Sequence, residues 1–440
     1  MKNLITFVFI SLFAVFINAQ QLSKVYVLSE GGFSAGTSML SLFDVQSNNF
    51  TQSIFFPGNI GLYPDGLDYH EGYLYLTEQG NYVSSGKIYK LDTLGTVINS
   101  ATIGTNPFSL AIANDNIYIT NGPASNVSVL KLNDLSFVKD ITVGVYPQNI
   151  LSFNNKIFVA NNSLYGGASD STVSVIDPVS NTVIATIVVK KNPSSLAVTN
   201  DNNLFIGCPG DENNGIIYKV NPSTFEKIDS VKIATYGFGK DIVVDKNSSE
   251  IFFIANTNDI VKHNLTTDNN SVILASVYPN NYYYGYNYDY TKKNHYVADA
   301  KNFSVQGTLT ILDSNGVKIS DYETGIAPRK ILFKYNDQTT GIEDNYAVSS
   351  FLLEQNYPNP FNPSTKISWQ SPVGSWQILK VYDALGNEVE TLVNEYRPAG
   401  TYEVEFTVGQ DSSPDIANGV YFYQLRTGNY IQTKKMILLK

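Results

Sequence analysis

Apolar positions in the first three quarters of the chain come in short bursts that alternate with polar residues and are broken by Asn, Asp, Gly and Pro. This is the two-residue period of strands. One burst recurs with a constant lead: a turn residue, usually Pro, then an apolar residue three positions later, then a second strand about eight residues on. Pro64 leads to Leu67, Pro107 to Leu110, Pro147 to Ile150, Pro193 to Leu196, Gly239 to Ile242, Gly285 to Tyr288 and Pro328 to Ile331. The marks are spaced by 43, 40, 46, 46, 46 and 43 residues, the length of one four-stranded propeller blade. Each unit continues with two more strand-like runs, as in SNVSVLKLN then SFVKDITVG. The ends fit the same scheme. KVYVLSE, MLSLFDV and NFTQSIFF lack a leading strand, and the seventh mark is followed by one strand alone, so Ile331–Lys334 is expected to complete the first blade beside Val25–Leu28. The pattern predicts an all-β chain whose residues 20–337 form a closed seven-bladed β-propeller.

After Asp337 the period stops. A polar stretch at 338–350 reads as a linker, and residues 351–440 hold both tryptophans and a new set of short strands: KISWQ, QILKVYDA, GTYEVEFTV, GVYFYQLRTG and TKKMILLK. Several strands in so short a span, with turns at Gly386-Asn387 and Gly428-Asn429, predict a small immunoglobulin-like β-sandwich. At the other end, Lys2 followed by the apolar run Leu4–Phe16 and a small residue at Ala19 reads as a signal peptide over 1–19, the run being too short for a membrane span.

Composition narrows the function classes. Charged residues are only 15% of the chain and the formal net charge is -10, with no Lys/Arg run, which argues against a nucleic-acid partner. The single cysteine, Cys208, excludes an intrachain disulfide and reads as a buried thiol. Three scattered histidines do not suggest a zinc site, and no phosphate loop, calcium loop or Ser-His-Asp spacing stands out.

Two resemblances follow from particular residues. IYITN at 117–121, IFVAN at 157–161 and VSVIDPVSNTVIATI at 173–187 are similar to repeats of the YVTN-type, or YncE-like, seven-bladed propellers, over roughly Lys24 to Tyr335. NYPNPFNPST at 356–365 resembles the start of the type A C-terminal sorting domain of the type IX secretion system. Pro358, Asn359, Pro360, Phe361, Asn362 and Pro363 carry that motif. VYDALGNEV with Gly386, AGTYEVEF, NGVYFYQL with Gly419, and KKMILLK with Lys434, Lys435 and Lys440 continue it in order. The resemblance implies export through the periplasm to the outer-membrane surface or the medium, with the type IX machinery as partner.

In a four-stranded meander the start of the first strand and the loop between strands two and three lie at one end. The loops at 29–37, 78–86, 161–172, 208–215 and 299–307 are long and the opposite turns short, so that end is the expected binding face. The residues after each turn mark should ring the channel mouth: Asp65, Gln148, Asn149, Lys240, Asp241, Tyr286, Arg329 and Lys330 are the candidate ligand-binding set. In YPNNYYYGYNYDY at 278–290, Tyr288 and Tyr290 align with strand positions and should pack between blades. Tyr282, Tyr283 and Tyr284, together with Tyr286, are expected to form an exposed aromatic surface on the mouth. The ring suits a polar ligand such as a glycan, or a protein, and equally a water-filled hole. The reading is a secreted or surface-displayed binding module, with no catalytic residue, metal or cofactor assigned. A lactonase- or lyase-like enzyme at the same mouth and a structural surface-layer component stay open as alternatives.

Overall fold

A computed structural model of the protein describes residues 20–337 and 352–439, apart from 33, 35, 57–65, 81–83, 164–166, 168, 200, 211–214, 234–235, 278, 372–374, 398–399, 409–415 and 428–429. The expected signal peptide, the linker, the turn at Gly428-Asn429, Asp65 and Lys440 fall outside the described residues. The chain divides into two compact units with the boundary after Gln338.

Among the described residues the first unit holds seven four-stranded antiparallel sheets. In each, the strand that follows a turn mark lies innermost: Leu67–His70, Pro107–Ala113, Pro147–Phe153, Ser195–Val198, Phe238–Val244, Tyr283–Asp289 and Pro328–Asp337. Each inner strand touches the next, and Pro328–Asp337 touches Leu67–His70, so the inner strands close a ring. The ring is locked where the first and last described strands of this unit share one sheet. Pro328–Asp337 pairs with Gln20–Ser29, setting Val25 opposite Phe333 and Val27 opposite Ile331. This is the expected closure, and it covers the inward edge of Gln20–Ser29.

Blades are held together by apolar clusters that each span two neighbouring sheets. Phe158, Val173 and Ile187 meet Leu196, Leu204 and Ile206, and Phe205 and Ile217 meet Phe238, Ile251 and Phe253. These residues are the inward halves of alternating strands, which is why the period-two pattern could be read as a core. Short polar pegs add to the apolar contacts. Thr120 donates to the Gln148 carbonyl at 2.7 Å, Ser195 Oγ accepts from the Ile242 amide at 2.9 Å, and Asn258 brackets Tyr283, donating to its carbonyl at 2.8 Å and accepting from its amide at 2.7 Å. Cys208 is fully buried, and burial pushes its thiol up to about 12, so it stays protonated and inert.

The second unit has two sheets around one core. A three-stranded sheet contains Leu352–Leu353, Ser364–Ser371 and Gly400–Thr407. A four-stranded sheet runs Glu388–Arg397, Ser375–Tyr382, Gly419–Thr427 and Tyr430–Leu438. Trp369, Phe361, Phe406, Leu379, Tyr423 and Met436 fill the space between them. The two tryptophans differ: Trp369 is buried and donates to Gln377 Oε1 at 2.7 Å, whereas Trp376 is exposed.

Candidate functional site: the channel mouth

The mouth is built by β-bulges. An antiparallel partner advances one residue while the bulged strand advances two, and the extra side chain is turned out of the pleat. On Phe238–Val244, three steps from Lys240 to Val243 face two on the partner, and Asp241 takes a positive φ of 55°. On Pro328–Asp337 the extra residue is Arg329, and on Tyr283–Asp289 it is Tyr284. Gly285 lets the last two strands approach, since a Cβ there would lie 2.0 Å from the Arg329 carbonyl oxygen.

These three bulge residues meet. Arg329 Nη1 donates to both Asp241 carboxylate oxygens, at 3.0 and 2.8 Å, and to the Tyr284 carbonyl at 3.1 Å. The pair is largely shielded, with side chains 15% and 19% exposed. The Arg329 guanidinium also lies over the Tyr284 ring, 5.4 Å from its centroid. Lys240 Nζ sits over Tyr284 at 4.4 Å and Tyr282 at 4.8 Å. Phe303 packs edge-on against Tyr284 at 5.0 Å, and the Tyr284 hydroxyl donates to Glu30 at 3.1 Å. Phe303 and Glu30 come from two of the long loops expected on this face, and nothing local in the sequence marks either of them.

Beneath the cluster a cavity of about 360 Å³ runs along the channel. Asn149, Ser195, Asp241, Arg329 and Lys330 line its upper part, and Lys246, Tyr290 and Tyr335 also line it. Of the expected ring, Asn149, Asp241, Tyr286, Arg329 and Lys330 therefore line one cavity. Lys240 stands at its rim, and Gln148 is tied sideways, its Oε1 accepting from Asn162 at 2.9 Å. The Asn149 side chain likewise accepts from the Leu196 amide at 3.2 Å.

Two expected surface residues are corrected. Tyr283 and Tyr286 are each only 5% exposed and belong to a core cluster with Phe252, Ile254, Tyr288 and Val297. Because the bulge on this strand lies before Gly285 and not after it, Tyr286 follows the regular alternation into the blade wall. Its hydroxyl meets His295 Nδ1 at 2.8 Å. Tyr283 donates to the Ala275 carbonyl at 3.1 Å. Only Tyr282 and Tyr284 remain on the mouth, and their rings are already engaged by Lys240. The expected packing role of Tyr288 agrees with its burial, while Tyr290 is half-buried, its ring tilted against that of Tyr335 with centroids 5.2 Å apart.

His295 supplies a pH test of this wall. Burial, with the Lys262 charge second, lowers it from 6.5 to about 4, so the folded protein holds it neutral. Between those values the unfolded chain binds the proton and the folded chain does not. The stability is therefore intact above pH 6.5 and falls as pH drops towards 4, by about 3 kcal/mol for this group. In His295→Gln, denaturant melts across that window should show a correspondingly shallower decline; an identical decline in both proteins would refute the assignment.

The C-terminal unit has a site of a different kind. Its final strand, Tyr430–Leu438, is an edge strand, and the proline-rich lead-in covers its open side. Asn359 Oδ1 accepts from the Ile437 amide at 3.0 Å, the Phe361 amide donates to the Ile437 carbonyl at 2.9 Å, and the Leu439 amide donates to Phe361 at 3.1 Å. Gln355 donates to the Lys435 carbonyl at 2.8 Å. Asn356, 2% exposed, fixes the lead-in through Pro358 and Thr365. Of the motif residues, Phe361 is buried in the core, Pro358, Pro360, Asn362, Pro363 and Lys435 are exposed, and Lys434 is half-buried. Gly386, at φ 88°, closes the turn whose amides Asp383 accepts. Gly419 opens the strand Gly419–Thr427.

Residues 355–439 match the family described as the secretion system C-terminal sorting domain. This sorting domain marks the chain for export by the type IX system, to the cell surface or the medium, and implies contact with that machinery. No curated protein matches the chain. Among solved structures, it is similar to a quinoprotein alcohol dehydrogenase-like protein from Bacteroides thetaiotaomicron, at 15% identity and TM-score 0.57, over 71% of this chain and 79% of that one. It is similar also to the periplasmic gluconolactonase of Pseudomonas aeruginosa, at 13% identity and TM-score 0.53, over 70% of this chain and 99% of that one. A third likeness is to Kuenenia stuttgartiensis hydrazine synthase, at 16% identity and TM-score 0.52, over 60% and 88%. At such identities the likeness is one of fold, the β-propeller, ahead of the sorting domain.

Proposed function

We propose that the chain is a secreted or surface-displayed binding protein: a seven-bladed, YncE-like propeller that captures an extracellular ligand at its channel mouth and reaches its destination through the sorting domain. One observation carries the reading. Three bulge residues from separate inner strands, Asp241, Tyr284 and Arg329, converge over a cavity, with Lys240 held beside them on two rings. Converging polar groups above a concave, preformed space are what a small-ligand site requires. The same geometry commits one lone pair of each Asp241 oxygen to Arg329, so the carboxylate serves first as the partner of that cation.

The test is a screen of the mature chain, from Gln20 onward, against glycans and envelope fractions, followed by a turnover assay on any ligand captured. Saturable capture without turnover is expected, weakened roughly tenfold by Lys240→Ala at an unchanged melting temperature. Turnover abolished by Asp241→Asn would replace the binding module with an enzyme.

A further inference from the structure

The charge of the cavity is opposite to that of the protein. The chain carries a formal net charge of -10, yet among the described residues lining the cavity Lys246, Arg329 and Lys330 face a single carboxylate, Asp241. The aromatic residues explain how the cations are held there. Tyr284 and Tyr282 carry Lys240 at the rim, Tyr284 also carries Arg329, and Tyr290 carries Lys246 Nζ at 5.1 Å from its ring centroid. A ring face that holds an ammonium group is not open to a sugar face, so the tyrosines serve the mouth by orienting positive charge. The other acidic groups near these cations have their own roles. Glu30 receives the Tyr284 hydroxyl, Asp68, beside Lys330, is pushed above the usual carboxylate range by burial, Asp245 accepts from the Asn247 amide and the Ser248 hydroxyl, and Asp289 accepts from Thr291 and Tyr335. A concave site lined by one sign of charge concentrates ions of the other sign, the more so between walls of low polarisability.

Neutral partners are present as well. Ser195 accepts the Ile242 amide through Oγ, which leaves its own O–H to donate inward, and the amide of Asn149 lines the same wall. The cavity, at about 360 Å³, is of the size that holds a small molecule and not a polymer.

We propose that the channel cavity binds a small hydroxylated organic anion, of the sugar-acid class, with its carboxylate towards Lys330 and Arg329 and its hydroxyls on Ser195 and Asn149, while Lys246 adds to the positive potential from the far end. This rests on the reading of the mouth as a binding site and adds the ligand's charge and size to it. Long-range attraction of this kind weakens as salt shortens the screening length, so affinity should fall with ionic strength.

Calorimetric titration of the mature full chain tests it, with galacturonate, its neutral counterpart galactose, and inorganic phosphate as probes. Galacturonate should bind at least ten times more tightly than galactose, and Lys330→Gln should erase that preference while the melting temperature stays put. Lys246→Gln, whose side chain lies at the other end of the line of cations, gives a second variant should the first fold poorly, and should reduce the preference as well. Equal binding of both sugars would overturn the anion preference and leave the binding module standing. Phosphate competing on equal terms with galacturonate would overturn the organic-acid class. Absence of heat with all three probes, together with no capture from glycans or envelope fractions, would sink both readings, whereas capture of other ligands alone would sink only this one.

Discussion

A chain ending at Asp337 is expected to cross the inner membrane, fold, and remain in the periplasm, with surface delivery reduced to background. The two units have separate cores. Every residue of the C-terminal cluster around Trp369, Phe361 and Met436 lies beyond residue 350, and the clusters that join the blades draw only on residues before 338. Loss of the tail therefore leaves the apolar burial of the propeller intact, and what disappears is the sorting domain at 355–439. Fractionation and protease accessibility of whole cells measure the outcome, and a cooperative melt of the truncated protein shows that misfolding is not its cause. Undiminished surface delivery of the truncated chain would refute the sorting role.

Moving the cut a few residues upstream should have the opposite effect. A chain ending at Gly325 loses Pro328–Asp337, the strand that closes the ring, and with it Ile331, Leu332, Phe333 and Tyr335. Ile331 is buried and the other three are half-buried, so at about 1.5–3 kcal/mol for full burial of one such side chain the loss is about 4–8 kcal/mol, comparable to the whole stability of an ordinary domain. It also uncovers Val25, Tyr26 and Val27, which are fully buried in the closed ring, and leaves their strand with an open edge beside them. Loss of a single cooperative transition, with aggregation, is the expected result. A melt matching that of the chain ending at Asp337 would show that the ring does not depend on this closure.

The contrast between the two cuts reflects what could be read in advance. Seven leads of Pro or Gly, at a nearly constant spacing, were enough to locate each inner strand, because a propeller repeats one supersecondary unit and the repeat leaves its period in the sequence. The lone strand after Pro328 implied its partner at Val25–Leu28 by counting. In the sorting domain, the motif around Pro358–Pro363 and the closing KKMILLK were legible as separate pieces. That Asn359 and Phe361 hydrogen-bond to the edge of that closing strand was not, since the two segments are some eighty residues apart and no local rule connects them.

The tyrosine run shows where local reading ends. Alternation correctly places Tyr288 in the blade interface, but it cannot say where a bulge falls, and one inserted residue reverses the face of every side chain that follows. With the bulge at Tyr284, Tyr286 enters the wall beside His295 and Tyr283 joins the core, while Tyr282 and Tyr284 stay on the rim.

The sequence by itself determined the all-β class, the repeat, the chain closure, the face carrying the long loops and the identity of the tail, because each of these is written in spacing or in a contiguous motif. Only the tertiary structure decided which side chains meet at the mouth. Asp241, Tyr284, Arg329, Lys240, Glu30 and Phe303 are brought together from five separate stretches of chain, and their juxtaposition depends on bulge positions and ring geometry that leave no period behind.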